Sequence, residues 1–513
     1  RSCGARRERR RDPEQALLVG GRARTRPCIA VMGTWGPLVL LLPLATATLL
    51  SPAGRAIGST ARLSAISMMS GGKGEARVLP GDMCVREHVL KVPLDHGDAS
   101  GKTIELFVRE VVRASKSEDE ALPYLLYLQG GPGFPSGRPS APPGGWMKAA
   151  LNKYRVLLLD QRGTGRSTPV TSESLSAIGS AEEQAAYLSH FRADAIVRDC
   201  EAVRASVARA RKLTLLGQSF GGFCILSYLS IAPEGVERAL FTFGLAPVGV
   251  AVDDVYHATF KRMEARNARF YARYPEDVEL VREIVSRLHR EPVPLPRGGT
   301  LTARRFLQLG LLLGSASGFE SLHDLLELAR APGGPAPLPQ HFLLAVEQAQ
   351  QGFETNPIYW LLHEAIYCDG DGSASAWAAE RVQASLGDAW DYTTRLDLDG
   401  PPVQLTGEMV YSWMGEDYAW LRPLAAAADI LAHKTDWGHI YSRKALNDGS
   451  VPCAALVSYD DIYVERAFSE QTASMIGGGC RMWITNEFQH SGLRDDPSVF
   501  DKLVAMSKGE VEY

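Results

Sequence analysis

Three short, almost unbroken apolar runs set the frame of this chain: residues 124–128, 156–159 and 213–216. Each ends in a tight turn: Gln129-Gly130-Gly131-Pro132-Gly133, Asp160-Gln161-Arg162-Gly163-Thr164-Gly165-Arg166-Ser167, and Gly217-Gln218-Ser219-Phe220-Gly221-Gly222. Continuous hydrophobicity over four or five residues marks strands buried on both faces, so these runs predict a mostly parallel sheet flanked by helices, with chemistry at the carboxyl ends of the strands. Residues 85–92 and 104–112 predict an opening antiparallel pair, joined through the turn region Asp95-His96-Gly97-Asp98. Ser180-x-x-Glu183 is a capping box, expected to open one long amphipathic helix running to about Ala210. Residues 240–243 form the next strand-like run.

Beyond residue 247 the pattern turns helical. Pro/Gly-rich breaks at 291–299 and 331–340 separate the helices, and strand signals are almost absent until Val403. Residues 454–461 and 482–485 then restore the strand pattern, each run ending in polar residues. The expected architecture is an α/β-hydrolase core (75–247 and 436–513) carrying an inserted helical cap domain (248–435), with residues 1–74 standing apart.

The turn at Ser219 carries the clearest chemistry. A buried strand that ends in Gly-x-Ser-x-Gly and runs into a helix forces the serine into a strained turn and lifts its hydroxyl above the sheet. A serine is a poor nucleophile at neutral pH, so it needs a histidine to take its proton and an acid to orient that histidine. In this fold the chain order is Ser, then Asp or Glu, then His. Asp461, after the strand 454–459, and His490, after 482–485, meet that order. Asp460 is the neighbouring alternative acid; His439 precedes the acid strand and so falls in the wrong order. The N–H groups of Gly131 and Phe220 are the expected oxyanion hole.

The combination of Gly-Gly-Pro-Gly, Asp-Gln-Arg-Gly-Thr-Gly-Arg-Ser and Gly-Gln-Ser-Phe-Gly-Gly, each after a strand, resembles the proline iminopeptidase (prolyl aminopeptidase) family of serine peptidases. The resemblance extends to residues 191–199, to Asn356-Pro357-Ile358-Tyr359 and to residues 486–494, covering most of the chain from about residue 80. It implies a capped hydrolase core that releases an N-terminal residue, preferentially proline, through an acyl-enzyme on Ser219, acting on peptides with a free N-terminus and using no cofactor. Gln129 departs from the family, many members having histidine there, but the oxyanion glycines are in place.

Such an enzyme must recognise a charged amino terminus, which in a closed site calls for a carboxylate. Glu364, in an otherwise apolar helical stretch, is either the exposed edge of an amphipathic helix or that counter-charge, and the family's amine-binding cap glutamates add weight to the second reading. Glu354 is the next choice. Tyr411 and Trp413 stand after Gly407-Glu408-Met409 as walls for a proline ring or as core aromatics. A carboxylesterase or a broader aminopeptidase on the same core are the enzymatic alternatives, and a ligand-binding relative without turnover is the non-enzymatic one. Epoxide hydrolases and dehalogenases need an acid where Ser219 stands.

Charge and cysteines narrow the reading further. The chain of 513 residues has net charge −4, yet its first 74 residues are rich in arginine, so the body is acidic and offers no electrostatic case for nucleic acid. From Gln15 to Lys73 there is no acidic residue, and the apolar stretch 37–50 is too short to span a bilayer. Followed by a Ser-, Ala- and Arg-rich segment, it is expected to act as a two-part presequence directing the protein to a plastid, with a cytoplasmic or secreted location as the alternative. The eight cysteines are scattered, with no C-x-x-C and no metal-ligand spacing, so neither a disulfide framework nor a metal is expected.

Overall fold

The computed structural model describes residues 74–98, 100–330, 337–397 and 399–511. The expected presequence therefore lies outside the described residues. The described residues open with three antiparallel strands, β1 (Arg77–Leu79), β2 (Met83–Pro93) and β3 (Thr103–Arg113). The strands β4 (Tyr124–Leu128), β5 (Arg155–Asp160), β6 (Leu213–Gln218) and β7 (Val236–Thr242) follow. A two-residue pair, β8 (Val293–Pro294) and β9 (Thr300–Leu301), stands by itself, and β10 (Cys453–Ser458) and β11 (Cys480–Thr485) come last. Apart from that pair, all the strands form one nine-stranded sheet in the order β1-β2-β3-β5-β4-β6-β7-β10-β11. β3 meets β5 antiparallel, and from β5 onward every neighbouring pair in the sheet is parallel.

The apolar runs become central strands because both of their faces are covered. Every residue of β4, β5 and β10 is buried. One side packs against the nucleophile helix Phe220–Ile231 and the helix Ala193–Ser206; the other packs against the C-terminal helix Ser498–Lys508. Crossovers between parallel strands put helices on both faces, which leaves the loops at the strand carboxyl ends free to gather functional groups.

Two expectations need correction. The long helix from Ser180 is two helices, Ala181–Leu188 and Ala193–Ser206. The capping box is present, with Ser180 and Glu183 each accepting from the other's backbone N–H. The break comes from tertiary anchoring: Phe191 is buried, and the Arg192 guanidinium is buried against the carbonyls of Trp437, Ala365 and Cys368. Nor does a strand resume at Val403. That segment satisfies its backbone individually, Leu405 N–H on the Asn267 side chain and Thr406 N–H on the Leu307 carbonyl.

Between β7 and β10 the described residues are mostly helical, beginning with the 22-residue helix Val252–Arg273. This cap is bolted to the core beside β10. Arg262 makes a bidentate pair with Glu465 at 2.6 and 2.7 Å, and Arg269 pairs with Asp460 at 2.6 Å. Such a two-pronged guanidinium–carboxylate contact as that of Arg262 fixes orientation as well as distance.

Candidate active site

Ser219 sits at the junction of β6 and its helix with φ 53° and ψ −124°, a conformation an L-residue holds only when its surroundings impose it. The surroundings are backbone: a Cβ on Gly217 would lie 2.5 Å from the Gly221 carbonyl carbon, and one on Gly221 would strike the Leu128 carbonyl. Close packing of strand, turn and helix thus creates the elbow. Phe220 opens the helix, so its N–H is among the first-turn donors that have no partner within the helix. The glycine-rich loop after β4 passes directly alongside, since a Cβ on Gly130 would come within 3.0 Å of the Ser219 Cβ. Gly131, with φ +136°, follows it there.

The loops after β10 and β11 meet above the same edge. His490 Nδ1 is 2.8 Å from Asp461 Oδ2, while Asp461 Oδ1 accepts the backbone N–H groups of Tyr463 and Val464. A carboxylate held this way fixes the imidazole tautomer with Nε2 free to accept a proton. Nε2 is buried and has no hydrogen-bond partner among the described residues. Asp460 is turned away onto Arg269, and His439 is largely exposed beside Asp369. Gln218, which carries no sequence signal beyond its place in the elbow, ties that elbow to the His490 loop. Its Nε2 donates to the His490 carbonyl at 3.2 Å, and its Oε1 accepts from Thr242.

The cap residues fall differently from expectation. Glu364 is buried, but its two oxygens accept the N–H groups of Ala378 and Ala379 at 3.0 and 2.9 Å. Those residues open the helix Ala378–Ser385, whose N-cap, Trp377, has no side-chain oxygen to offer. Glu364 supplies the missing cap from across the fold. Burial raises its pKa, and the Ala379 N–H, the Ser375 hydroxyl and the Ala378 N–H work against that rise. Glu354 likewise accepts a backbone N–H, that of Trp420. Tyr411 is buried and stacked on Trp413 at 5.0 Å, with Arg304 over the Trp413 ring, so both belong to the packing of the cap.

The carboxylate that acts electrostatically on the His490–Asp461 pair is Glu408. It accepts a 2.9 Å hydrogen bond from the Tyr359 hydroxyl, and the Tyr359 ring packs edge-on against Phe134 of the glycine loop at 5.6 Å. Among the described residues no Lys or Arg pairs with it. Burial pushes its pKa up to about 7, opposed by the charge of His490 and assisted by that of Asp461. Burial alone would lower His490, but the Asp461 carboxylate, with Glu408 behind it, outweighs that and holds His490 above the ordinary histidine range. The sequence signal for Glu408, a glutamate in an apolar stretch, is the same as for Glu364; only the fold separates them.

Among the described residues no cluster of His, Cys, Asp or Glu is arranged to hold a metal, and no helix is long and apolar enough to cross a membrane. A serine elbow, an adjoining glycine loop and a histidine–aspartate pair on the loops of later parallel strands define an α/β-fold serine hydrolase. A family model described as alpha/beta hydrolase fold matches residues 123–285. The chain is 45% identical over 434 residues to the proline iminopeptidase of Aeromonas sobria, the match covering 84% of this chain and 98% of that one. It is 33% identical over 450 residues to the proline iminopeptidase aneH of Aspergillus aculeatus, covering 84% and 96%. The chain belongs to the proline iminopeptidase family.

Proposed function

We propose that this protein is a prolyl aminopeptidase that cleaves the first residue from peptides through an acyl-enzyme on Ser219. The observation that carries the reading is Glu408, a recessed carboxylate with no basic partner among the described residues, set within electrostatic reach of the His490–Asp461 pair. An ammonium entering the site supplies the charge Glu408 lacks, and its position there sets the bond to be cut one residue away. His490 Nε2 takes the Ser219 proton as the oxygen attacks the carbonyl, and the N–H groups of Gly131 and Phe220 receive the oxyanion. His490 then gives that proton to the departing peptide nitrogen. Water, deprotonated by the same imidazole nitrogen, releases the amino acid and restores Ser219.

The test is a matched pair of substrates. Prolyl naphthylamide is expected to be cleaved and its N-acetyl derivative rejected, because the blocked nitrogen leaves the carboxylate unpaired in a desolvated site. Efficient cleavage of the acetylated compound would transfer the protein to the esterases or endopeptidases.

The pH dependence should separate the two roles. Below about 7 Glu408 gains a proton and loses the charge that holds the ammonium; in the same direction His490 gains one and can no longer accept from Ser219. Both events depress kcat/KM for prolyl naphthylamide as pH falls, so its acid limb should approach a slope of two. The two groups interact, so the midpoints belong to the pair. Hydrolysis of p-nitrophenyl acetate needs only neutral His490 and should fall with a slope of one. Equal slopes on both substrates would place the amine's counter-charge elsewhere.

A further inference from the structure

The loop that carries the triad acid continues directly into Tyr463, a residue the reaction steps above leave unused. Its backbone N–H donates to Asp461 Oδ1 at 2.8 Å. Its ring lies edge-on to the His490 imidazole, with centroids 4.8 Å apart and planes at 76°. Its hydroxyl crosses to the cap and donates to the Leu311 carbonyl. One side chain therefore touches the base and the cap while its own backbone holds the acid.

The cap also meets the His490 segment through its backbone. The segment Gln308–Gly314 ends at His490, where the Gly314 carbonyl accepts the His490 backbone N–H at 3.0 Å. Ser315 bridges to Gln489, and Ala316 N–H donates to Ser491 Oγ at 3.2 Å. Gly314 and Tyr463 are in direct apposition, since a methyl group at Gly314 would run into the Tyr463 phenol. The long cap helix holds this segment as well, through Arg266, which donates to the Leu313 carbonyl at 2.9 Å.

From this juxtaposition we propose that Tyr463 is a positioning residue for His490, setting the imidazole against Ser219 according to where the cap segment 311–316 lies. The cap then contributes to every reaction at Ser219, including those of substrates too small to touch the amine site. This goes beyond the aminopeptidase reading and rests only on His490 acting as the base. A displacement of about 1 Å between reacting groups costs on the order of a hundredfold in rate, so a modest shift of the ring is enough to be measured.

The experiment compares Tyr463→Leu, Tyr463→Phe and Gly314→Ala on prolyl naphthylamide and p-nitrophenyl acetate, with thermal unfolding recorded for each. Tyr463→Leu removes ring and hydroxyl together and is expected to lower kcat about tenfold or more on both substrates by a common factor, with KM within about twofold. Tyr463→Phe keeps the ring against His490 and should recover most of that loss. Gly314→Ala, made entirely within the cap, should reproduce the kcat defect of Tyr463→Leu, and it keeps the proposal testable if the leucine variant does not fold. Folded Tyr463→Leu and Gly314→Ala proteins with kcat within about twofold of wild type would overturn the proposal. So would a loss confined to KM for the naphthylamide, which would make Tyr463 a wall of the substrate pocket. The acetate arm reads the base whatever the natural substrate, so a wild-type enzyme that fails to cleave the naphthylamide refutes the aminopeptidase reading without deciding this one.

Discussion

Ser219→Ala is expected to remove turnover of naphthylamide and acetate alike, by at least about a thousandfold in kcat, while thermal unfolding stays where it was. The elbow is imposed by the close approach of the Gly217, Gly221 and Leu128 backbones, not by the serine hydroxyl, so alanine inherits the same geometry. What disappears is the one oxygen that attacks the carbonyl. His490→Ala and Asp461→Asn should be comparably damaging and should not add to the serine variant, because the three groups act as a unit. Substantial residual activity in Ser219→Ala with an unchanged melting transition would place the nucleophile elsewhere.

The sheet is legible in the sequence because its central strands are buried on both faces and therefore read as uninterrupted apolar runs; β4, β5 and β6 coincide with those runs to within a residue or two. The break between the helices 181–188 and 193–206 is not legible. Ser189-His190-Phe191-Arg192 contains no proline or glycine, and the interruption arises from where Phe191 and Arg192 find their partners, Arg192 reaching carbonyls about 170 to 250 positions further along. The same limit governs the site. Ser219, Asp461 and His490 lie at strand ends, where chain order and fold class assign roles. Cap residues have no such frame. Glu364 and Glu408 each interrupt an apolar stretch, and nothing local reveals that a helix N-terminus arrives at one while the other feels the charge of His490.

That contrast gives the second large effect. In Glu408→Gln the Tyr359 hydrogen bond can be kept, but the negative charge is gone, and an incoming ammonium would enter a recessed site with nothing to balance it. Stranding one member of a buried charge pair costs several kcal/mol, so kcat/KM for prolyl naphthylamide should fall by roughly a hundredfold or more. Hydrolysis of p-nitrophenyl acetate makes no such contact and should change little, apart from a lower acid-limb midpoint as His490 loses a neighbouring carboxylate that helps to hold its pKa up. Glu364→Gln should behave in the opposite way. Its amide keeps one acceptor for the N–H groups of Ala378 and Ala379 but gives up the charge at that helix end, so the loss should appear as about 1 kcal/mol of stability with both substrates turned over at similar rates. If instead Glu364→Gln silences only the naphthylamide while Glu408→Gln spares it, the amine is held from the helix-capping side of the cap and the site has been assigned to the wrong glutamate.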